Sequence, residues 1–264
     1  MAVVTAPPAP TWPLVLARWS IEPGVVGLLA VAAVLSIRRP GPRPAVFGAG
    51  LAVVALALLS PVSTYAGALL AVHMVQHLLL ALVAAPLIVA GLPRVPRVRP
   101  LLAWAAFAAA GWVVHFSPLF DLALRNQAAH AFEHLVFLGA GLLFWAPVLG
   151  GRAGRDGGIS HAARLLYLGL AMPQNTFLAL AVFSADHPLY QTYVRMRRSW
   201  GPSRLADQRL AGGIMWVAGD VTLLVAVLVV AAQWAAASTG DELEVDLNAA
   251  PPPVDQYKHG DNAS

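Results

Sequence analysis

The feature that most constrains this chain is the way its charges are grouped. They fall into short clusters separated by long apolar runs, at about 17–37, 45–64, 67–92, 101–119, 129–149, 162–185 and 209–236. A helix needs about 20 apolar residues to cross a hydrocarbon core of roughly 30 Å, and each run approaches that length. Charged residues make up 11% of the 264 positions and apolar ones 58%, whereas a soluble domain carries about 25% charged residues. A soluble chain so poor in charge could not cover its own surface. The pattern predicts an all-α polytopic membrane bundle of about seven transmembrane helices. It divides the chain into a segment 1–16, a membrane domain 17–236 and an acidic tail 237–264. The tail opens with Asp241, Glu242, Glu244 and Asp246, then turns Pro- and Ala-rich, and is expected to be disordered.

The breaks carry turn-forming residues: Arg38-Arg39-Pro40-Gly41-Pro42, Ser60-Pro61, Pro93-Arg94, Gly150-Gly151 and Gly157-Gly158. Pro23, Pro86, Pro147 and Pro173 lie inside or near the runs and are expected to kink helices rather than end them. Arginines set the orientation. The loops after the first, third and fifth runs hold Arg38, Arg39 and Arg43, then Arg94, Arg97 and Arg99, then Arg152 and Arg155. The positive-inside rule places these in the cytoplasm, with the N-terminus outside and the C-terminus inside. The loop 186–208 is an exception, expected outside yet carrying Arg195, Arg197, Arg198 and Arg204. Met1 to Pro13 holds no Lys or Arg, so the basic region of a signal peptide is missing and the first span is read as retained.

Several function classes drop out. With no cysteine, disulfides, thiolate metal sites and Cys nucleophiles are excluded. The net charge of +4 reads as loop orientation and contact with the lipid bilayer, not as nucleic-acid binding. No nucleophile–base pair or phosphate-binding loop stands out, so an enzyme is not expected.

The histidines carry the strongest functional signal. His73 and His77 fall in the outer half of the third run, His115 at the outer end of the fourth, and His130 and His134 at the outer start of the fifth. Intramembrane imidazoles are costly and tend to face a bundle interior or polar cavity. His73/His77 and His130/His134 are i, i+4 pairs, so each pair shares a helix face about 5–6 Å apart and two rings can hold one metal ion. Imidazole suits copper, zinc and iron and does not choose among them. Glu133 is a candidate ligand or orienting partner. Glu22, His187, Asp207 and Met215 are candidates for outer support or partner contact. Met74 is a further thioether at that depth, while His161 and His259 are read as solvated bystanders. Arg18 and Glu22 read as an i, i+4 pair. Asp220, inside the seventh run, needs a partner or a proton, and Gln174, Asn175 and Thr176 are expected to bond backbone freed by Pro173.

These residues resemble the caa3-type cytochrome c oxidase assembly factors, the CtaG family. The resemblance rests on Trp19-Ser20-Ile21-Glu22-Pro23, His73-Met74-Val75-Gln76-His77 and Trp112-Val113-Val114-His115-Phe116-Ser117-Pro118 leading to Asp121. It continues with His130-Ala131-Phe132-Glu133-His134, Phe144-Trp145-Ala146-Pro147, His187-Pro188-Leu189-Tyr190 and Leu205-Ala206-Asp207-Gln208 running on to Met215-Trp216. Glu22 and Asp220 depart from the family pattern. The resemblance implies a multi-pass protein of the bacterial plasma membrane that helps build a respiratory oxidase. It further implies a non-catalytic role in which copper is held and passed to the oxidase catalytic subunit or another copper-handling protein. Two alternatives stay open. One is a haem-binding redox protein, since histidine is an axial haem ligand; the other is a metal or proton transporter with Asp220 in its path.

Overall fold

A computed structural model describes residues 6–11, 13, 17–20, 22–38, 40–151 and 158–249. Arg39, Arg152, Arg155 and His259 lie outside the described residues, as do the side chains of Asp241, Glu242, Glu244 and Asp246. Among the described residues the chain is all-helical, without a strand.

Helix α1 (Pro23–Arg38) begins on its proline, which suits the first helical position because its missing N–H would be unpaired there anyway. Arg18 and Glu22 therefore precede the helix, and the expected i, i+4 pairing between them does not form. Glu22 instead accepts from Gln127 Nε2 at 3.0 Å. Helix α2 (Pro44–Leu59) stops at Ser60, whose backbone is extended, and Pro61 opens the short α3 (Pro61–Ala66). The expected run to residue 64 is thus split, since proline pushes the residue before it out of the helical region. Ser60 Oγ then caps the new helix, accepting from Val62 N at 3.1 Å.

Helix α4 spans Leu70–Gly91 and contains a π-helical turn over Leu79–Ala84. This turn explains how Pro86 is tolerated. Ala85 N–H bonds Leu80 O in the wide register, so the next carbonyl, Ala81 O, would look to the N–H that Pro86 lacks. Trp145 Nε1 supplies the missing donor at 3.1 Å. The two helices close at that point because residue 141 is glycine: a Cβ there would lie 2.7 Å from Ala81 O.

Helices α5 (Pro100–Phe116), α6 (Leu119–Ala123), α7 (Gln127–Leu149), α8 (His161–Phe183), α9 (Gln191–Arg195) and α10 (Arg204–Ala249) complete the chain. Pro147 and Pro173 lie within α7 and α8. Helix α10 runs on to Ala249, past residue 236 where the tail was expected to begin.

Helix α4 is central, packing against α2, α7 and α10, while α5 joins α7 and α8, and α8 lies along α10. The main core runs through Met74, Ala81, Val114, Phe120, Phe144, Leu168, Leu178 and Leu223, with a smaller one between α2 and α4 around Val54, Ala57 and Leu80. Helix α1 touches α2 and buries none of its residues. Ile37, Leu101, Leu166, Phe177, Val217 and Leu228 all point outward. A water-facing monomer rarely exposes so much contiguous apolar surface, whereas lipid solvates it. Four helices, α4, α7, α8 and α10, are long and apolar enough to cross a membrane, and α1, α2 and α5 are shorter apolar helices. The molecule is a helical membrane protein.

Candidate metal centre

The start of α4, the end of α5 and the start of α7 meet at one end of the bundle, and His73, His77, His115, His130 and His134 come together there. Ring centroids are 4.4 Å apart for His73–His77, 5.4 Å for His73–His130 and 4.1 Å for His130–His134. His115 joins at 6.1 Å from His77. Glu133 enters between the pairs, with Oε2 3.2 Å from His73 Nε2 and Oε1 3.7 Å from His77 Nε2. Its carboxylate is 0% exposed, as is His73. His73, His130 and Glu133 each offer a ligand atom within 4.8 Å of the others.

The protonation pattern follows from the neighbours. Tyr193 Oη donates to Ala66 O at 2.5 Å, and burial pushes its phenol well above the ordinary range, so it stays protonated. Its oxygen is left to accept, and His73 Nδ1 sits 3.1 Å away as the donor. The other ring nitrogen of His73, Nε2, lies 2.9 Å from His77 Nε2 and 3.2 Å from Glu133 Oε2. Nearby, His77 Nδ1, His130 Nε2, His134 Nε2 and Glu133 Oε1 are buried without a hydrogen-bond partner. An unsatisfied buried polar group costs about 1–3 kcal/mol, and several occur here within one cluster. One metal ion can be held by several such atoms at once, and the ligand atoms of His73, His130 and Glu133 lie close enough together to share one, so the donor set fits a metal. With imidazoles, one carboxylate and no thiolate, it suits a borderline transition-metal ion such as copper or zinc.

Aromatic side chains close the site. Phe137 stacks on His77 at 3.9 Å, and the fully buried Phe120 packs on His73 at 4.9 Å. Phe120 belongs to α6, which is tied to α9 through Asp121, whose carboxylate accepts from Gln191 N at 3.2 Å and Thr192 N at 2.8 Å. The two short helices form a cover, and α9 carries Tyr193 onto His73. Asp207, from the first turn of α10, anchors α4 from below the cover. It accepts from Leu70 N at 3.0 Å and Ala71 N at 3.2 Å, filling orphan donors of that helix start, and pairs with Arg198 Nη1 at 3.3 Å.

The remaining candidates sit elsewhere. Glu22 lines a crevice with His130 and His134 but bonds Gln127. His187 is exposed, and its backbone carbonyl accepts from Gln208 Nε2. Met215 is buried on a cavity shared with Met74 and His115. His161 stacks on Trp234 near the other end of the bundle. The expectation for Asn175 and Thr176 is corrected: rather than repairing the Pro173 kink, they donate to Asp220 at 2.9 and 2.6 Å, because a carboxylate in an apolar interior is the stronger claim on a donor. Sequence reasoning did not place Tyr193, Phe120 or Phe137 at the site. None of the three has a spacing signal, since each reaches the histidines through folding alone.

The chain has relatives among known proteins. The chain is 27% identical over 208 positions to uncharacterized proteins of Mycobacterium bovis and Mycobacterium tuberculosis, covering 67% of this chain and 31% of theirs. An uncharacterized protein of Mycobacterium leprae is 26% identical, covering 80% of this chain and 38% of its own. The chain thus spans about a third of the length of these curated relatives. No solved structure matches it. A model of the cytochrome c oxidase caa3 assembly factor family matches residues 26–237; with nearly the whole helical bundle covered, histidine centre included, the chain belongs to that family.

Proposed function

We propose that the protein is a seven-span, non-catalytic assembly factor that holds copper at the His–Glu centre and passes it to the oxidase catalytic subunit or another copper-handling protein. The observation that carries this reading is the gathering of buried imidazole nitrogens and a carboxylate oxygen without hydrogen-bond partners, on His77, His130, His134 and Glu133, in an aromatic-walled site. A family that assembles cytochrome c oxidase selects copper from the metals this donor set accepts. In the seven-span reading, α1, α2, α4, α5, α7, α8 and α10 cross the bacterial plasma membrane. Helices α1 and α2 have 16 residues each, below the usual span of roughly 17–25, a mismatch absorbed by local thinning and by flanking arginines that reach for the interface. Arg38, Arg43, Arg94, Arg97 and Arg99 flank helix ends opposite the histidines, which supports placing the metal centre at the outer face. The arginines of the 186–208 loop weigh less against this orientation because Arg198 and Arg204 are turned onto backbone carbonyls, Ala68 O and Met196 O.

A haem is a poorer occupant of this centre. The imidazoles pack at centroid distances of 4.1–6.4 Å, with Phe120 and Phe137 against them, and leave no slit for a macrocycle. The test is metal analysis of detergent-purified full-length protein from copper-replete cells, comparing wild type, a His73→Ala/His77→Ala double variant and His161→Ala. Full copper in wild type and His161→Ala, with a clear loss in the double variant, is expected. Equal copper in all three removes the centre from the function.

A further inference from the structure

Beside the His–Glu centre lies a second cluster of donors of different chemistry. His115 Nδ1 is 2.7 Å from Gly111 O, and a carbonyl only accepts, so Nδ1 carries the proton. In the neutral ring, Nε2 therefore bears a lone pair. That nitrogen faces Met74 Sδ at 3.3 Å, and a thioether has no proton to give. Two lone-pair atoms thus point at each other inside the protein, with Met74 1% and His115 4% exposed. A doubly protonated ring would relieve the opposition only by burying a charge in the apolar interior.

The pair borders a cavity of about 50 Å³ lined by Met74, His77, Gly111, His115, Asn175 and Met215, among others. One water-sized sphere needs roughly 10–15 Å³, so the space admits an ion or a few waters. Met215 brings a second thioether to the same cavity from α10, itself 5% exposed. His77 is the shared wall, since it belongs to the His–Glu centre and lines this cavity too.

We propose that Met74 and His115, with Met215 across the cavity, form a second metal site that takes a soft monovalent cation, copper in its reduced state. Thioether sulfur selects Cu(I) where imidazole and carboxylate accept harder ions. The inference extends the copper reading of the His–Glu centre and adds a receiving position beyond it. The ion moves between the two by ligand exchange at His77, without change of oxidation state. In the sequence Met74 is a thioether between the two histidines of an i, i+4 pair, and no spacing joins it to His115 or Met215.

The experiment loads selenomethionine-labelled, detergent-purified full-length protein anaerobically with Cu(I) alone. It measures copper per chain and, by X-ray absorption, whether selenium has a copper neighbour. Three proteins are compared: wild type, Met74→Leu, which conserves volume, and His130→Ala/Glu133→Gln. Wild type is expected to bind about two equivalents with copper next to selenium. Met74→Leu is expected to lose about one equivalent and that neighbour, while the His130/Glu133 variant loses the other equivalent and keeps it. Wild-type copper without a selenium neighbour, or a Met74→Leu protein that loads like wild type, overturns the second site. Full loading in the His130/Glu133 variant, with loss in Met74→Leu, supports the second site and defeats the copper reading of the His–Glu centre. The selenium readout on wild type needs no variant to fold.

Discussion

Asp220 and Glu133 are both acidic side chains of the helical bundle, and their surroundings differ in kind. Asp220, on α10, is met by donors on both oxygens: Asn175 Nδ2 at 2.9 Å and Thr176 Oγ1 at 2.6 Å. Asn175 also donates to Met215 O at 3.2 Å, and Gly219 gives it room to approach, since a Cβ there would lie 2.6 Å from its Nδ2. Glu133, on α7, faces imidazole nitrogens, and its Oε1 has no hydrogen bond. The first is a closed network in which each polar group answers another, a device that holds α8 to α10. The second is open, with nitrogens of His77, His130 and His134 and one oxygen of Glu133 left without hydrogen-bond partners. Glu133 is the more deeply buried of the two, so an unanswered polar group costs more there, and the difference sets a scaffold network apart from the proposed site.

The comparison can be broken at Glu133 first. Glu133→Gln keeps the size of the side chain but removes its charge, so the purified protein should lose the metal equivalent assigned to the His–Glu centre while its unfolding temperature changes little. A variant that retains wild-type metal would place Glu133 among the scaffold groups. A smaller effect is expected at Tyr193, which touches His73 but not the converging lone pairs. Tyr193→Phe removes the acceptor that holds His73 Nδ1–H, and the loss of such an orienting bond typically lowers metal affinity ~10–100-fold. Competition with a chromophoric chelator measures this, and an unchanged affinity would mean that packing alone orients His73. The smallest effect on metal is expected at Asp220. Asp220→Ala leaves Asn175 and Thr176 without their acceptor, at a cost of about 1–3 kcal/mol in stability, seen as a lower unfolding temperature in detergent. Its metal content should equal that of wild type; a loss would show that the two networks are coupled through Met215 and the cavity next to His115.

Much of this was legible before folding was considered. The runs that became α4, α5, α7 and α8 were readable to within a few residues, because lipid demands long apolar helices and charge cannot hide there. The i, i+4 spacing of His73/His77 and of His130/His134 announces two faces, each with paired imidazoles. What failed to show were the local exceptions. The break at Ser60, the π turn ahead of Pro86 and the extension of α10 to Ala249 leave little trace in hydropathy, which averages over about a turn or more. The partners of Asp220 were misassigned because a nearby proline looked like the stronger demand on Asn175 and Thr176.

Sequence by itself therefore determined the class of the molecule, its helices and the residue types available for chemistry, since these follow from the solvent and from helical periodicity. Only the tertiary structure decided that the histidines of α4, α5 and α7 form one cluster. It alone aimed Tyr193 at His73, set Met74 against His115 and left Glu133 open while closing Asp220. Each of those outcomes depends on which lone pairs and protons meet across helices far apart in the chain, and one helix's spacing carries no record of its neighbour's rotation.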